Sequence, residues 1–339
     1  MVIKDRTFLL GGGLGLVGWH ITQELLRKGA REIRILDNSA FSESHTVNAL
    51  GAIPQVKIHN GSVLSRDDCA EAMRGVDGLF VLAACMSRFT KEDPRRTLDI
   101  NLIGMDNLLS SAVEAGVSNA VFSSSTGVYG YAVSGSVTED MPLGSEGVNS
   151  AAVIYGASKL IGEKLCEHYS SASDLKVVSL RYSTVYGEHM HSRAANARYI
   201  LGVIDQINRG EAPSYFDGGF ETKDFVYGGD VARANVMAIE SDLDQESFNI
   251  SGCRMIPVKE IVGIIQKEMG SHQEPKNLSS ENIVRLVSPD PFIYCCDKAK
   301  AMLGWEPEMS FEDGIHRVVN WRAGIEAEFD FDTLGKKSA

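Results

Sequence analysis

The run Gly11-Gly-Gly-Leu-Gly-Leu-Val-Gly18 separates a short apolar stretch, residues 7–10, from a helical pattern over 19–28. A turn this rich in glycine between strand and helix narrows the choice of fold sharply. Gly12, Gly15 and Gly18 fall at the spacing where a tight turn, a close phosphate approach and a helix-on-strand contact would each exclude a Cβ. A pyrophosphate would rest on the helix N-terminus, against Gly15, Leu16, Val17 and Gly18.

A second strand over 32–36 closes with Asp37. A carboxylate there can accept both ribose hydroxyls of an adenosine and repels a 2′-phosphate. Asn38 and Ser39 follow where a 2′-phosphate site would want arginine, which points to NAD rather than NADP. The competing reading is that Asp37 caps the next helix. Strands at 56–59, 78–83, 120–124 and 176–180 then alternate with helices at 66–73, 97–114 and 151–171. This is the rhythm of an α/β protein with a doubly wound, Rossmann-type parallel sheet.

Beyond residue 187 the rhythm loosens into a polar loop at 188–196, a helix at 197–208 and a glycine-bearing turn at 215–222. Helix 229–240 and strand 247–250 return to the sheet, and helices near 257–269, 297–303 and 311–325 cap the substrate side. The expected organisation is a dinucleotide-binding domain over 1–182, rejoined by about 224–250. A smaller, interleaved substrate lobe takes 183–223 and 251–329, and 330–339 forms a tail.

With 339 residues, 44% hydrophobic, the chain can bury a large core. A net charge of −12 argues against nucleic acid or an anionic membrane surface as partner. The N-terminus lacks a signal-peptide pattern and no apolar run approaches a membrane span, so a cytoplasmic protein is expected. Six cysteines without a Cys-x-x-Cys pair read as reduced thiols rather than a zinc site or disulfide framework. His189-Met-His191 lies on a polar loop without nearby cysteine or clustered carboxylates, and no metal is expected. On helix 97–114, Leu98, Leu102, Met105, Leu109 and Val113 form one stripe, either core or a dimer seam shared with helix 151–171.

Tyr155 and Lys159 are four residues apart, on one face of a predicted helix. A free tyrosine, with a pKa of about 10, is a poor base. A lysine cation about 4 Å away, at an effective dielectric of about 20, offers up to roughly 4 kcal/mol to the phenolate. That is enough to make the phenol a general base near neutral pH. Ser125 could then hold a substrate oxygen while Tyr155 takes or gives its proton.

Ten segments of the sequence carry a resemblance, and they run in order over nearly the whole chain. They are Gly12-x-x-Gly15-x-x-Gly18, Asp37, Leu82-Ala-Ala84, Asn101-Leu-Ile-Gly104, Ser123-Ser-Ser125 with Val128-Tyr-Gly130, Tyr155-x-x-x-Lys159, Leu180-Arg-Tyr182 with Val185-Tyr-Gly187, Asp224-Phe-Val-Tyr227, Phe248-Asn-Ile-Ser-Gly252 and Leu303-Gly-Trp305. The chain resembles an extended short-chain dehydrogenase/reductase of the NAD-dependent epimerase/dehydratase type, which includes the UDP-galactose 4-epimerases. The resemblance implies that Ser125, Tyr155 and Lys159 form the catalytic group, with Lys159 also bonding the nicotinamide ribose. It places Tyr182 by the nicotinamide and adds Asn38, Ser62, Val63, Leu82, Ala83, Ala84, Asn101, Ser123, Thr184 and Val185 to the NAD contacts. It further implies hydride transfer at a secondary alcohol of a small-molecule substrate, and a homodimer.

Departures from the family pattern narrow the reaction. Dehydrating members carry Asp-Glu after the catalytic hydroxyl residue, and decarboxylating ones a Glu at the second position; here these are Thr126 and Gly127. Epimerisation or simple oxidation and reduction remain. Candidate substrate contacts are Ser125, Thr126, Thr184, Arg193, Arg198 and Lys223. Thr184 and Lys223 replace an asparagine and an arginine common in sugar-nucleotide members. The late arginine of the diphosphate clamp falls near Val287, with Arg285 close by. Lysine neutralises a phosphate without arginine's planar two-point grip. Ser62 replaces an aspartate that contacts adenine, which would loosen NAD. The readings are therefore a nucleotide-sugar 4-epimerase with resident NAD, or an NAD-dependent dehydrogenase of a sugar, sugar acid or small hydroxy compound. A non-catalytic dinucleotide sensor would have no use for Ser125, Tyr155 and Lys159 together.

Overall fold

The computed structural model describes residues 1–130, 134–142, 149–194, 196–279 and 292–324. The 330–339 tail and Arg285 lie outside the described residues. The chain begins with β1 (Thr7–Gly11), α1 (Leu16–Arg27), β2 (Glu32–Asp37), α2 (Ser44–Gly51), β3 (Val56–Asn60), α3 (Arg66–Met73) and β4 (Gly78–Val81). The short α4 (Ser87–Glu92) and α5 (Pro94–Leu98) precede α6 (Met105–Ala115), β5 (Asn119–Ser125), β6 (Gly135–Val137), α7 (Ser150–Ala172), β7 (Lys176–Tyr182) and β8 (Thr184–Tyr186). Next come α8 (Ala197–Asn208), β9 (Ser214–Phe216), β10 (Thr222–Tyr227), α9 (Gly228–Glu240), β11 (Ser247–Ile250) and β12 (Met255–Pro257). The chain ends with α10 (Val258–Met269), β13 (Lys276–Leu278), β14 (Phe292–Tyr294), α11 (Asp297–Leu303) and α12 (Phe311–Ala323).

Seven strands form one sheet in the order β11-β7-β5-β4-β1-β2-β3, parallel throughout. This is the expected doubly wound architecture. The central strands β1 and β4 are buried along their whole length, as apolar strands covered on both faces must be. Alternation along β1 sends Phe8 and Leu10 to one core and Leu9 to the other. Strand order reverses between β1 and β4, so a crevice opens at the carboxyl ends of the strands, where Gly12, Asp37, Leu82, Ser125 and Tyr182 all stand. A third core, with Ile200, Ile204, Phe225, Ile261 and Ile315, joins α8, β10, α10 and α12 beside this edge.

Two elements differ from the sequence expectation for physical reasons. Strand 78–83 ends at Val81, because Leu82 and Ala83 turn their N–H groups onto the carbonyl of Gly11 at 2.9 Å and 2.7 Å. Helix 97–114 is not one α-helix: Asp99–Gly104 is a π-helical stretch between α5 and α6. An inserted residue of this kind re-aims side chains and is frequent at functional sites. The apolar stripe divides too, with Met105 and Leu109 in the core and Leu98 41% exposed. Helix α2 was not foreseen, having neither a side-chain cap nor an acidic first turn.

Where α1, α2, the loop after β8 and α12 meet, Trp19 stacks on His189 with ring centroids 3.8 Å apart. His45 lies 5.5 Å from His189, and Trp321 5.5 Å from each of them. His189 Nδ1 bonds Thr46 Oγ1 at 3.0 Å, whereas His191 Nδ1 lies 3.4 Å from Glu43 Oε1. The two histidines thus serve separate contacts, and among the described residues no three ligating side chains gather as a metal site would require. Burial lowers His20 and His189 from 6.5 to about 4. The unfolded chain therefore takes up these protons first as pH falls, so their contribution to stability is whole above 6.5 and is lost towards pH 4. Tm should fall across that window and fall less steeply in His189→Asn; an unchanged slope in the variant would acquit His189.

Candidate active site

At the glycine turn the three spaced glycines have three different reasons. Gly12 has φ +86°, and a Cβ there would lie 2.4 Å from Ala83 Cα. At Gly18 it would lie 2.1 Å from the carbonyl oxygen of Gly13. At Gly15 it would meet nothing within 4 Å. Packing of the protein on itself thus accounts for Gly12 and Gly18, while Gly15 faces open space. It is also the N-cap of α1, where no side chain bonds the first backbone N–H groups. Those groups and the helix dipole suit an anion.

Asp37 ties the turn to β2: its carboxylate accepts from Leu14 N at 3.1 Å and Ser39 N at 2.8 Å. Burial raises its pKa above the usual range. Asn38 Oδ1 accepts from Ala40 N, and Ser62 Oγ from Leu64 N at 3.2 Å. Val63 packs on Gly104, where a Cβ would come within 2.6 Å of it. Leu82 and Ala83 hold the turn from the other side, and Ala84 is half-buried beside them. An uncapped helix N-terminus with open space at Gly15, next to the Asp37 carboxylate, fits a dinucleotide's pyrophosphate and ribose.

Ser125 closes β5, and its Oγ accepts from Gly127 N at 3.0 Å. A Cβ at Gly127 would lie 3.2 Å from that Oγ and 3.5 Å from Tyr155 Cδ1 and Cε1. Gly127 therefore spaces the Ser125 hydroxyl from the Tyr155 ring. Lys159, 4% exposed, donates to the carbonyl of Ser123 at 2.7 Å, with Nζ 6.0 Å from the Tyr155 ring centroid. Burial lowers its pKa to about 8, so it is still cationic at neutral pH. Among the described residues no carboxylate forms an ion pair with it. Its charge is therefore available to a phenolate at Tyr155.

Several predicted contacts turn out to brace this group. Asn101, on the π-helical stretch, accepts from Cys85 N at 2.7 Å and donates to Ser158 Oγ at 2.9 Å. Ser158 in turn donates to the Tyr155 carbonyl at 2.7 Å. Ser123 Oγ bonds Tyr182 Oη at 3.0 Å, and Tyr182 donates to Asn235 Oδ1 at 2.9 Å. Thr126 is buried at the start of a 3-10 turn, and Thr184 and Val185 lie half-buried on β8.

Sequence reasoning missed the charged network behind the site. Glu163 Oε1 accepts from Ser124 Oγ at 2.5 Å, and Arg181 grips the carboxylate with Nε at 2.9 Å and an Nη at 2.7 Å. Arg181 also donates to Tyr129 Oη at 2.8 Å, and Tyr129 to Asn249 Oδ1 at 2.6 Å. The signal was an arginine inside the apolar strand, with a glutamate four residues after Lys159.

On the substrate side the predicted basic residues divide. Arg198 and Lys223 meet around Tyr199, 4.6 Å and 5.5 Å from its ring centroid. Glu221, also missed, pairs with Lys223 at 2.8 Å and accepts from Tyr199 Oη at 2.9 Å. Arg193 instead donates its backbone N–H to His191 Nδ1 at 2.9 Å.

Residues 8–251 match a family model described as NAD dependent epimerase/dehydratase. The chain is 32% identical over 319 residues to a putative UDP-glucose 4-epimerase of Methanocaldococcus jannaschii, covering 92% of this chain and 97% of that protein. It is 26% identical to a UDP-N-acetyl-alpha-D-glucosaminuronate decarboxylase of Bacillus cytotoxicus, with 94% and 98% covered. Among solved structures it is similar to UDP-glucose 4-epimerase of Thermotoga maritima with UDP-glucose, at a TM-score of 0.82 and 26% identity, covering 94% of this chain and 99% of that one.

Proposed function

Because the chain belongs to the NAD-dependent epimerase/dehydratase family, we propose that it interconverts a secondary alcohol and ketone on a nucleotide-sugar, as a 4-epimerase. The observation that carries this reading is the buried Lys159 cation beneath Tyr155, opposite Ser125, with no acid or base at Thr126 or Gly127. Removing water or carbon dioxide needs a further proton-transfer group, which those two positions do not offer.

In this reading Gly12, Gly15, Leu16, Val17, Gly18 and Asp37 hold the dinucleotide. Bound there, NAD supplies the hydride acceptor and, once reduced, the hydride donor. Ser125 Oγ holds the substrate oxygen. Tyr155 takes the hydroxyl proton during oxidation and returns it on reduction, while Lys159 keeps the phenolate accessible near neutral pH. Asn101, through Ser158, fixes the helical turn that carries Tyr155. A homodimer belongs to the same reading, with Leu98, Ile103 and Ile161 exposed on neighbouring elements for a second copy to cover.

The Lys223–Glu221 pair favours a second reading. A lysine already neutralised by a carboxylate grips a diphosphate weakly, which suits a sugar, sugar acid or hydroxy compound without one. The purified protein should be analysed for bound dinucleotide, then given UDP-sugars, and afterwards other alcohols with excess NAD. Retained NAD and an interconverted UDP-sugar without net NADH support the epimerase; accumulating free NADH with another alcohol supports the dehydrogenase. Independently, Asp37→Ala with Asn38→Arg should shift cofactor preference towards NADP, by about 10-fold or more. An unchanged NAD/NADP ratio would show that Asp37 does not read the ribose.

A further inference from the structure

The cysteines divide by environment. Cys69, Cys85 and Cys166 are buried, and burial pushes each thiol up, Cys69 to about 12. Cys253 and Cys296 are different, because they meet. Cys253 lies in the turn after β11, and Cys296 is the N-cap residue of α11. Their thiols converge on one oxygen: both donate to the carbonyl of Ser251, at 3.7 Å and 3.9 Å. Cys253 has φ +54°, a left-handed backbone that disfavours any residue with a Cβ. Cys253 is half-buried, within reach of a small oxidant, whereas Cys296 is buried. Cys253 is thus the thiol that a peroxide meets first, and Cys296 the partner that resolves it.

We propose that Cys253 and Cys296 form a reversible intramolecular disulfide on exposure to hydrogen peroxide, stapling the turn after β11 to the start of α11. The Cys253 thiolate attacks one peroxide oxygen; the O–O bond breaks and hydroxide leaves, giving a sulfenic acid at Cys253. Cys296 sulfur then attacks the Cys253 sulfur, the S–O bond breaks, and the hydroxyl leaves as water with the Cys296 proton. Two thiols lose two electrons, and one peroxide becomes two waters. The staple bears on the candidate site, because Ser251 Oγ and Gly252 N both bond Asp224, the neighbour of Lys223 on β10, at 2.8 Å and 3.0 Å.

Reduced protein should be treated with hydrogen peroxide, blocked with iodoacetamide in denaturant, digested and read by mass spectrometry with and without dithiothreitol. The expected result is a peptide pair joining Cys253 to Cys296, lighter by two hydrogens than its parts and separated by dithiothreitol. Cys253→Ser and Cys296→Ser should each lose the link, and Cys295→Ser should keep it. A link from Cys253 to Cys295, loss of the link in Cys295→Ser, or a sulfinic acid at Cys253 with Cys296 alkylated would each overturn the proposal. The wild-type peptide map decides even where a serine variant fails to fold.

Discussion

Tyr155→Phe is expected to cut kcat about 10³-fold, the scale of a lost general acid–base, while leaving Tm and dinucleotide binding close to the parent's. The ring that packs beside Gly127 and above Lys159 is kept; only the phenolic oxygen goes. Steady-state turnover, a dinucleotide titration and thermal unfolding on the same preparation separate chemistry from folding. Wild-type turnover in the variant would remove Tyr155 from the mechanism. A loss of binding equal to the loss of turnover would make it a cofactor contact instead.

The largest effect on stability is expected at Glu163. Its carboxylate is buried with Arg181 in a two-point ion pair that also receives Ser124. Removing one partner leaves an uncompensated buried charge, which costs about 3–5 kcal/mol. Glu163→Leu should therefore lower the free energy of urea unfolding by that amount. Glu163→Leu with Arg181→Met should recover much of it, because no charge is then stranded. A single variant that loses under about 1 kcal/mol, the scale of an exposed pair, would mean that the charges are solvated in solution. Ser124 adjoins Ser125, and Glu163 follows Lys159 by one helical turn, so the network also sets the strand against the helix that carry the reacting groups.

What was legible in the sequence was local. The glycine turn, the strand–helix alternation and the four-residue spacing of Tyr155 and Lys159 each depend on neighbours along the chain, and each reads directly as geometry. The doubly wound sheet followed from them. What was illegible depends on partners far apart in sequence. Nothing near Asn101 announces that it will bond Cys85 and Ser158, or that the helix will take an extra residue to let it. Tyr199 and Glu221 look like ordinary residues of a helix and a turn until the fold sets them against Arg198 and Lys223. Arg181 was read only as part of the Leu180-Arg-Tyr182 segment that follows a strand, since its meaning resides in Glu163.

The burial of Lys159 sets the stability contributed at this position against the charge it presents to Tyr155. Its pKa falls from 10.5 to about 8 on folding, so at neutral pH the fold carries a desolvated cation at a cost of about 3 kcal/mol. Between pH 8 and 10.5 the unfolded chain binds this proton more tightly than the folded one, so this group's contribution to stability grows as pH rises. Over the same range the charge beneath Tyr155 disappears. In mildly alkaline solution this position therefore weighs less on the fold and presents less of the charge that the proposed mechanism sets beside Tyr155; at neutral pH it presents the charge and bears the cost.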